Sequence, residues 1–180
     1  MLLHHGSAAL SPFRLEKLRR DLAAAGIPAE TVSARFLHAI ALKDGADALP
    51  PAETEILNKL LAYGPMEKAE GEKPKHETPA APSVVNRKSK IVHFLVAPRP
   101  GTISPWSSKA TDIARICGLS QIARVERAIA YTLTTAAPLD PARQAAAAAK
   151  LHDRMTQAVF NHPDDLARLF RREQPRPKTT

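Results

Sequence analysis

Eight residues have the types and spacing that could meet an anion or another protein's wall: Arg99, Gly101, Ser104, Trp106, Ser107, Ser108, Lys109 and Asp112. The first seven fall in Pro98-Arg99-Pro100-Gly101-Thr102-Ile103-Ser104-Pro105-Trp106-Ser107-Ser108-Lys109, which holds three prolines, a glycine and the only tryptophan. This stretch lies between a run that reads as a buried strand and one that reads as a helix. The prolines fix φ and remove donors, Gly101 can supply a positive φ, and the serines leave hydroxyls near a helix start. Such a stiff loop can hold a shape for a partner. In one reading, Arg99, the N–H groups at the helix start and Lys109 meet an anion or a neighbouring domain's active-site wall. In the other it is a turn with Ser107 or Ser108 as N-cap, Asp112 in the first turn complementing the helix dipole, and Trp106 as a hydrophobic plug. The residues alone leave both open.

Other reactive side chains point to structure. His152-Asp153 is the nearest approach to an acid/base pair, but neighbours on a helix project about 100° apart and do not face each other. Asp153 and Arg154, with Glu126, Arg124 and Arg127 on the preceding strand, are expected to form a structural or interface salt-bridge network. Cys117, the only cysteine, excludes an internal disulfide and reads as a core thiol on the apolar side of a helix. His38 reads as a satisfied histidine on the buried parity of a strand.

The 180 residues are 44% hydrophobic but only 4% aromatic, which predicts a globular core of Leu, Ile, Val and Ala. The net charge of +8 invites a phosphate-rich partner. The basic residues are spread thinly without interleaved aromatics, so nucleic-acid binding is not expected. No stretch approaches the roughly 18 apolar residues of a membrane span. Met1-Leu2-Leu3-His4-His5 lacks the basic start and apolar run of a signal peptide, so the expected location is cytoplasmic.

The elements that must position the loop follow from periodicity. Leu2, Leu3 and Ala8 to Leu10 suggest a short strand, and Ser11-Pro12 an N-cap with proline at the first helical position. Phe13, Leu15, Leu18, Leu22 and Ala25 repeat at helical spacing up to Gly26. Thr31 to Lys43 reads as a strand with both faces partly apolar, and Pro50 to Gly64-Pro65 as a helix. Met66 to Lys90 changes to Glu, Lys, Pro, Ser and Thr and reads as a polar tether. Ile91 to Val96 is a central strand, Ser108 to Cys117 a helix stopped by Gly118, and Ile122 to Thr134 a strand whose Arg124, Glu126 and Ala128 parity is wet or an interface. Asp140-Pro141 caps a long alanine-rich helix from Ala142 through Phe160, and Asn161 to Phe170 forms a short one. The organisation predicted is a first half at 1–65, the tether at 66–90, a second half at 91–171 and a linker start at 172–180.

The string VAPRPGTISPWSSKATDIARICGL from Val96 to Leu119 closely resembles the N-terminal region of the large single-chain phosphoribosylformylglycinamidine synthases of purine biosynthesis. So do Ile122 to Tyr131, Leu151-His152-Asp153-Arg154-Met155-Thr156, Ser11-Pro12-Phe13-Arg14 and Leu60 to Pro65. The chain departs from the family at Met66 to Lys90, which is longer and more polar, and at Thr180, because the family's enzymes are far longer. Gln174-Pro175-Arg176-Pro177 resembles the start of an interdomain linker. The resemblance implies an α+β two-layer sandwich of antiparallel sheet and helices, built from a duplicated strand-helix-strand-helix unit with pseudo-two-fold symmetry. It implies a non-catalytic scaffold whose partners are synthetase and glutaminase domains, in cis or in trans. The complete enzyme would use ATP, magnesium and glutamine, yet no phosphate-binding glycine loop, metal-ligand pair or paired nucleophile is recognisable here. A free-standing structural subunit and an unrelated basic interaction protein are the alternatives.

Overall fold

The computed structural model describes residues 1–43, 46, 48–64 and 90–171. The expected tether, apart from Lys90, and the expected linker lie outside them. The described chain is α+β, with β1 (Leu2–Ala8), α1 (Pro12–Ala24), β2 (Ala29–Leu42), α2 (Pro51–Leu60), β3 (Lys90–Pro98), α3 (Pro105–Ile116), β4 (Ile122–Thr135), α4 (Pro141–Leu151), β5 (Gln157–Phe160) and a 3-10 helix at Pro163–Phe170. Five strands form one sheet in the order β1-β2-β4-β3-β5, each neighbouring pair antiparallel. The long β2 and β4 sit side by side, paired from Ala29↔Thr135 to Leu42↔Ile122.

Alternation along these strands makes one face the helix face. Phe94, Val96, Tyr131 and Leu133 pack there with Leu22 of α1 and with Ala147 and Leu151 of α4. Ile40, Ile122 and Val125 pack with Leu57 and Leu61 around α2, Ala114 of α3 and Leu119. The helices thus cover the sheet from two sides, and the floor between them carries Phe36, His38, Arg127 and Ile129, whose partners in register run across β2 and β4. The opposite face is not left open. Leu37, Ala39, Leu95, Ala97 and Ala128 are buried there under Leu166 and Leu169 of the 3-10 helix.

That covering corrects the wet or interface face expected of β4, since this chain's own 3-10 helix lies over it and Glu126 is wholly buried. Three further expectations fail for local reasons. The alanine-rich helix stops at Leu151, where His152 turns extended at φ −135 and ψ 152. Asp153 then holds a turn through Met155 N and Thr156 Oγ1, and Gln157 to Phe160 pairs along Leu95–Pro98 instead. Phe13 is exposed because it lies nine positions from Leu22, about half a revolution round the helix. Cys117 is also exposed. It caps α3, and Gly118, at φ 84, redirects the chain so that Leu119 fills the core position.

Gly6 marks the closest backbone approach in β1, since an added Cβ would stand 2.8 Å from His38 Cε1 and 2.9 Å from Phe36 Cβ. Gly6→Ala is expected to cost about 1–3 kcal/mol through overpacking. Urea denaturation checks this, and a variant as stable as the parent would refute the close approach.

Candidate functional site

The loop between β3 and α3 is shaped first by a type II turn. Thr102 N donates to Arg99 O at 3.2 Å, Pro100 occupies the second position, and Gly101 takes φ 80 at the third, the backbone region that a side chain disfavours. Thr102 Oγ1 donates to the same carbonyl at 2.6 Å, and Arg99 N donates to Thr156 O at 3.2 Å. The turn is therefore fixed both to itself and to the segment before β5.

Ser104, not Ser107 or Ser108, caps α3. Its φ −70 and ψ 149 are extended, its Oγ accepts from Ser107 N, and Pro105 is the first helical residue. Trp106, Ser107, Ser108 and Lys109 consequently belong to the helix rather than to the loop. Asp112 lies beyond the first turn and pairs with Arg115 at 3.5 Å.

Beneath the loop lies a buried charge network. Ser104 Oγ donates to Glu126 Oε2 at 3.0 Å, and Ser104 N approaches Oε1 at 3.4 Å. Arg124 pairs with Glu126 through Nη2, and the same nitrogen donates to Thr102 O at 2.8 Å. Arg124 Nη1 donates to Leu169 O at 3.1 Å and Nε to Ser107 Oγ at 3.3 Å. One arginine thus binds the loop, α3, β4 and the 3-10 helix together. Asp153 takes no part, because both its oxygens serve its own turn; those bonds hold its carboxyl below the usual range.

The eight sequence-derived residues do not converge on one site. Gly101, Ser107, Ser108 and Asp112 line a cavity of about 750 Å³ beside Arg124 and Leu169. Arg99, Ser104 and Trp106 line a second, of about 450 Å³. Lys109 shares with Trp106 an apolar pocket of about 300 Å³ against Leu57, Leu60 and Leu61.

A cluster that the sequence reading did not assemble lies on the sheet floor. Trp106 stacks on His38 with centroids 5.7 Å apart and planes 30° apart, so the plug is real and rests on a buried imidazole. His38 Nε2 meets the Tyr63 hydroxyl at 2.7 Å. Burial, helped by His4 and Arg127, pushes the His38 pKa down to about 4, and burial raises that of Tyr63. The Arg127 guanidinium stands 4.7 Å from the Phe36 ring centre and 4.8 Å from that of Trp106. Its signal was an arginine sharing parity with Val125 and Ile129. Among the described residues no group of three His, Cys, Asp or Glu could hold a metal ion, and no helix is long and apolar enough to cross a membrane.

A family model described as formylglycinamide ribonucleotide amidotransferase N-terminal matches residues 35–170, which is most of the chain. The match takes in β2 from Arg35 onward, the whole loop, the buried network and the His38 cluster.

Two expectations follow from the buried groups. Arg124→Met leaves the Glu126 charge in the interior without its counter-ion and should cost about 3–5 kcal/mol in denaturant unfolding. Adding Glu126→Gln should recover part of that loss, and strict additivity of the two changes would rule out their coupling. His38 titrates at about 4 when folded against an ordinary 6.5, so between those values the unfolded chain binds more protons. Stability should then rise with pH across that window, and fall by about 3 kcal/mol from pH 7 to 4 through this group. Unfolding of the parent and His38→Gln at pH 7 and 5 tests it, and an undiminished pH dependence in the variant would remove His38 as its source.

Proposed function

The chain belongs to the formylglycinamide ribonucleotide amidotransferase N-terminal family, and from that premise we propose that it is the non-catalytic scaffold portion of phosphoribosylformylglycinamidine synthase. That enzyme carries out the ATP- and glutamine-dependent amidation of de novo purine biosynthesis. In this reading the loop and the start of α3 face the synthetase domain and help shape its active-site cleft. Glutaminase and synthetase domains are the partners, ATP and magnesium bind to them, and the complete enzyme is cytoplasmic.

The observation that carries the reading is a loop locked from below and open above. Arg124, Glu126 and the Ser104 cap fix its backbone, while Arg99, Thr102, Ser108 and Lys109 are exposed and Ile103 is 64% exposed. A fixed loop that presents a large apolar side chain to solvent is suited to burial against a partner. Among the described residues the buried carboxylate, Glu126, is already held by Arg124 and Ser104 and does not fit the magnesium of a nucleotide. The central placement of β2 and β4, each preceded by a strand and a helix, supports two related halves joined along that ladder.

The test is complementation of a synthase lacking its N-terminal region by this purified chain, read as glutamine- and ATP-dependent amidine formation. Activity should return. Ile103→Asp should lower it by about tenfold or more, as expected for an interface anchor, and Lys109→Ala should lower it less. A folded chain that neither binds nor restores activity would overturn the scaffold role.

A further inference from the structure

Arg127 presents a problem that the scaffold reading leaves unsolved. Arginine keeps its charge in any protein environment, and this one is only partly exposed, set among Phe36, Tyr63 and Trp106 with guanidinium-to-ring distances of 4.7, 5.9 and 4.8 Å. Ring faces attract a cation without neutralising it. Among the described residues no carboxylate pairs with Arg127: its sequence neighbour Glu126 lies on the opposite face of the sheet and is held by Arg124 and Ser104. Asp153, the nearest acid in sequence to the cavity wall at Met155–Gln157, keeps both oxygens on Met155 N and Thr156 Oγ1. A charge held in place by three rings, with no carboxylate paired to it among the described residues, is pre-organised for an anion from outside.

The cavity of about 450 Å³ in which Arg127 stands supplies the rest. A second guanidinium, exposed Arg99, lines it, and among the described residues no acidic one does. Its volume lies in the range of small-molecule sites and exceeds what a bare inorganic ion needs. Ile103 and Met155, which line it, are 64% and 79% exposed, so apolar surface stands beside the two cations. We propose that this cavity binds an organic oxyanion, a small molecule whose carboxylate or phosphate monoester lies between Arg99 and Arg127 and whose apolar body covers Ile103 and Met155. The site shares Arg99 and Ile103 with the loop's docking side, but binding by the isolated chain does not require the scaffold reading to hold.

Trp106 makes the test direct, because the only tryptophan of the chain both lines the cavity and touches Arg127. The purified chain is titrated with inorganic phosphate, hexyl phosphate and hexanoate, with sodium chloride at matched ionic strength as control, while tryptophan fluorescence is followed. A saturable change is expected that chloride does not give. Hexyl phosphate should bind about tenfold or more tightly than inorganic phosphate, the gain from burying several methylene groups. The hexyl phosphate and hexanoate arms identify which oxyanion is preferred. Arg127→Gln should weaken binding by about tenfold or more, since charge-assisted bonds are the strong ones. Arg99→Gln, at an exposed position, removes the second cation without threatening the fold and should weaken it several-fold. Responses no larger than chloride gives, or saturable binding unchanged in both variants, would overturn the proposal. Neither result depends on whether the chain restores synthase activity.

Discussion

A carboxylate with no access to water, Glu126, is the constraint on which the loop and both layers around it depend. Such a group is tolerated only when its charge is matched and its lone pairs are used. Arg124 supplies the charge, and Ser104 supplies a hydroxyl. The same hydroxyl accepts from Ser107 N, so one atom closes the carboxylate's shell and the first turn of α3 together. Arg124 in turn carries the constraint to Thr102 and Leu169 carbonyls. Position of the loop, start of the helix and seating of the 3-10 helix on the far face are therefore set by one cluster rather than by three separate contacts.

Much of this was legible in residues with local signals, and the family resemblance in the loop agrees with the match over 35–170. Ser11-Pro12 and Asp140-Pro141 announced α1 and α4 through proline at the first helical position. Ser104-Pro105 carries the same signal, and it outweighs the two later serines that also suit a cap. Glu126 was not legible as buried. Its parity with Arg124 reads as a wet or interface face, and only the fold brings Ser104 under it and Leu166 and Leu169 over its neighbours. Arg127 was hidden for the converse reason, being a charge on the apolar parity whose ring partners come from β2, α3 and the residues after α2. The strand at Gln157–Phe160 was lost within an alanine-rich run of high helix propensity, which edge pairing with β3 overrode.

The helix layer explains why polar groups gather at the middle of the sheet. Leu22, Ala147 and Leu151 form one apolar block with β3 and the end of β4, and Leu57, Leu61 and Ala114 form another near Ile122 and Val125. The strip between the blocks takes rings rather than aliphatic side chains. Phe36, His38, Tyr63 and Trp106 meet there at centroid separations of 5.4 to 6.2 Å. Rings can cover a neutral imidazole on one side and a guanidinium on the other, which aliphatic packing could not do.

The ladder between β2 and β4 also governs how the molecule must assemble. Its partners lie roughly a hundred residues apart in the chain, so the sheet's centre is made of the most remote contacts, the arrangement associated with slow folding. The first side offers no finished sheet to the second, because β1 with β2 is a two-stranded ribbon that is marginal alone. The sheet's centre therefore forms only where the two halves of the sequence meet. A slip of one residue along that ladder would carry Phe36, His38, Arg127 and Ile129 to the opposite face of the sheet, so the pairing is not free to shift.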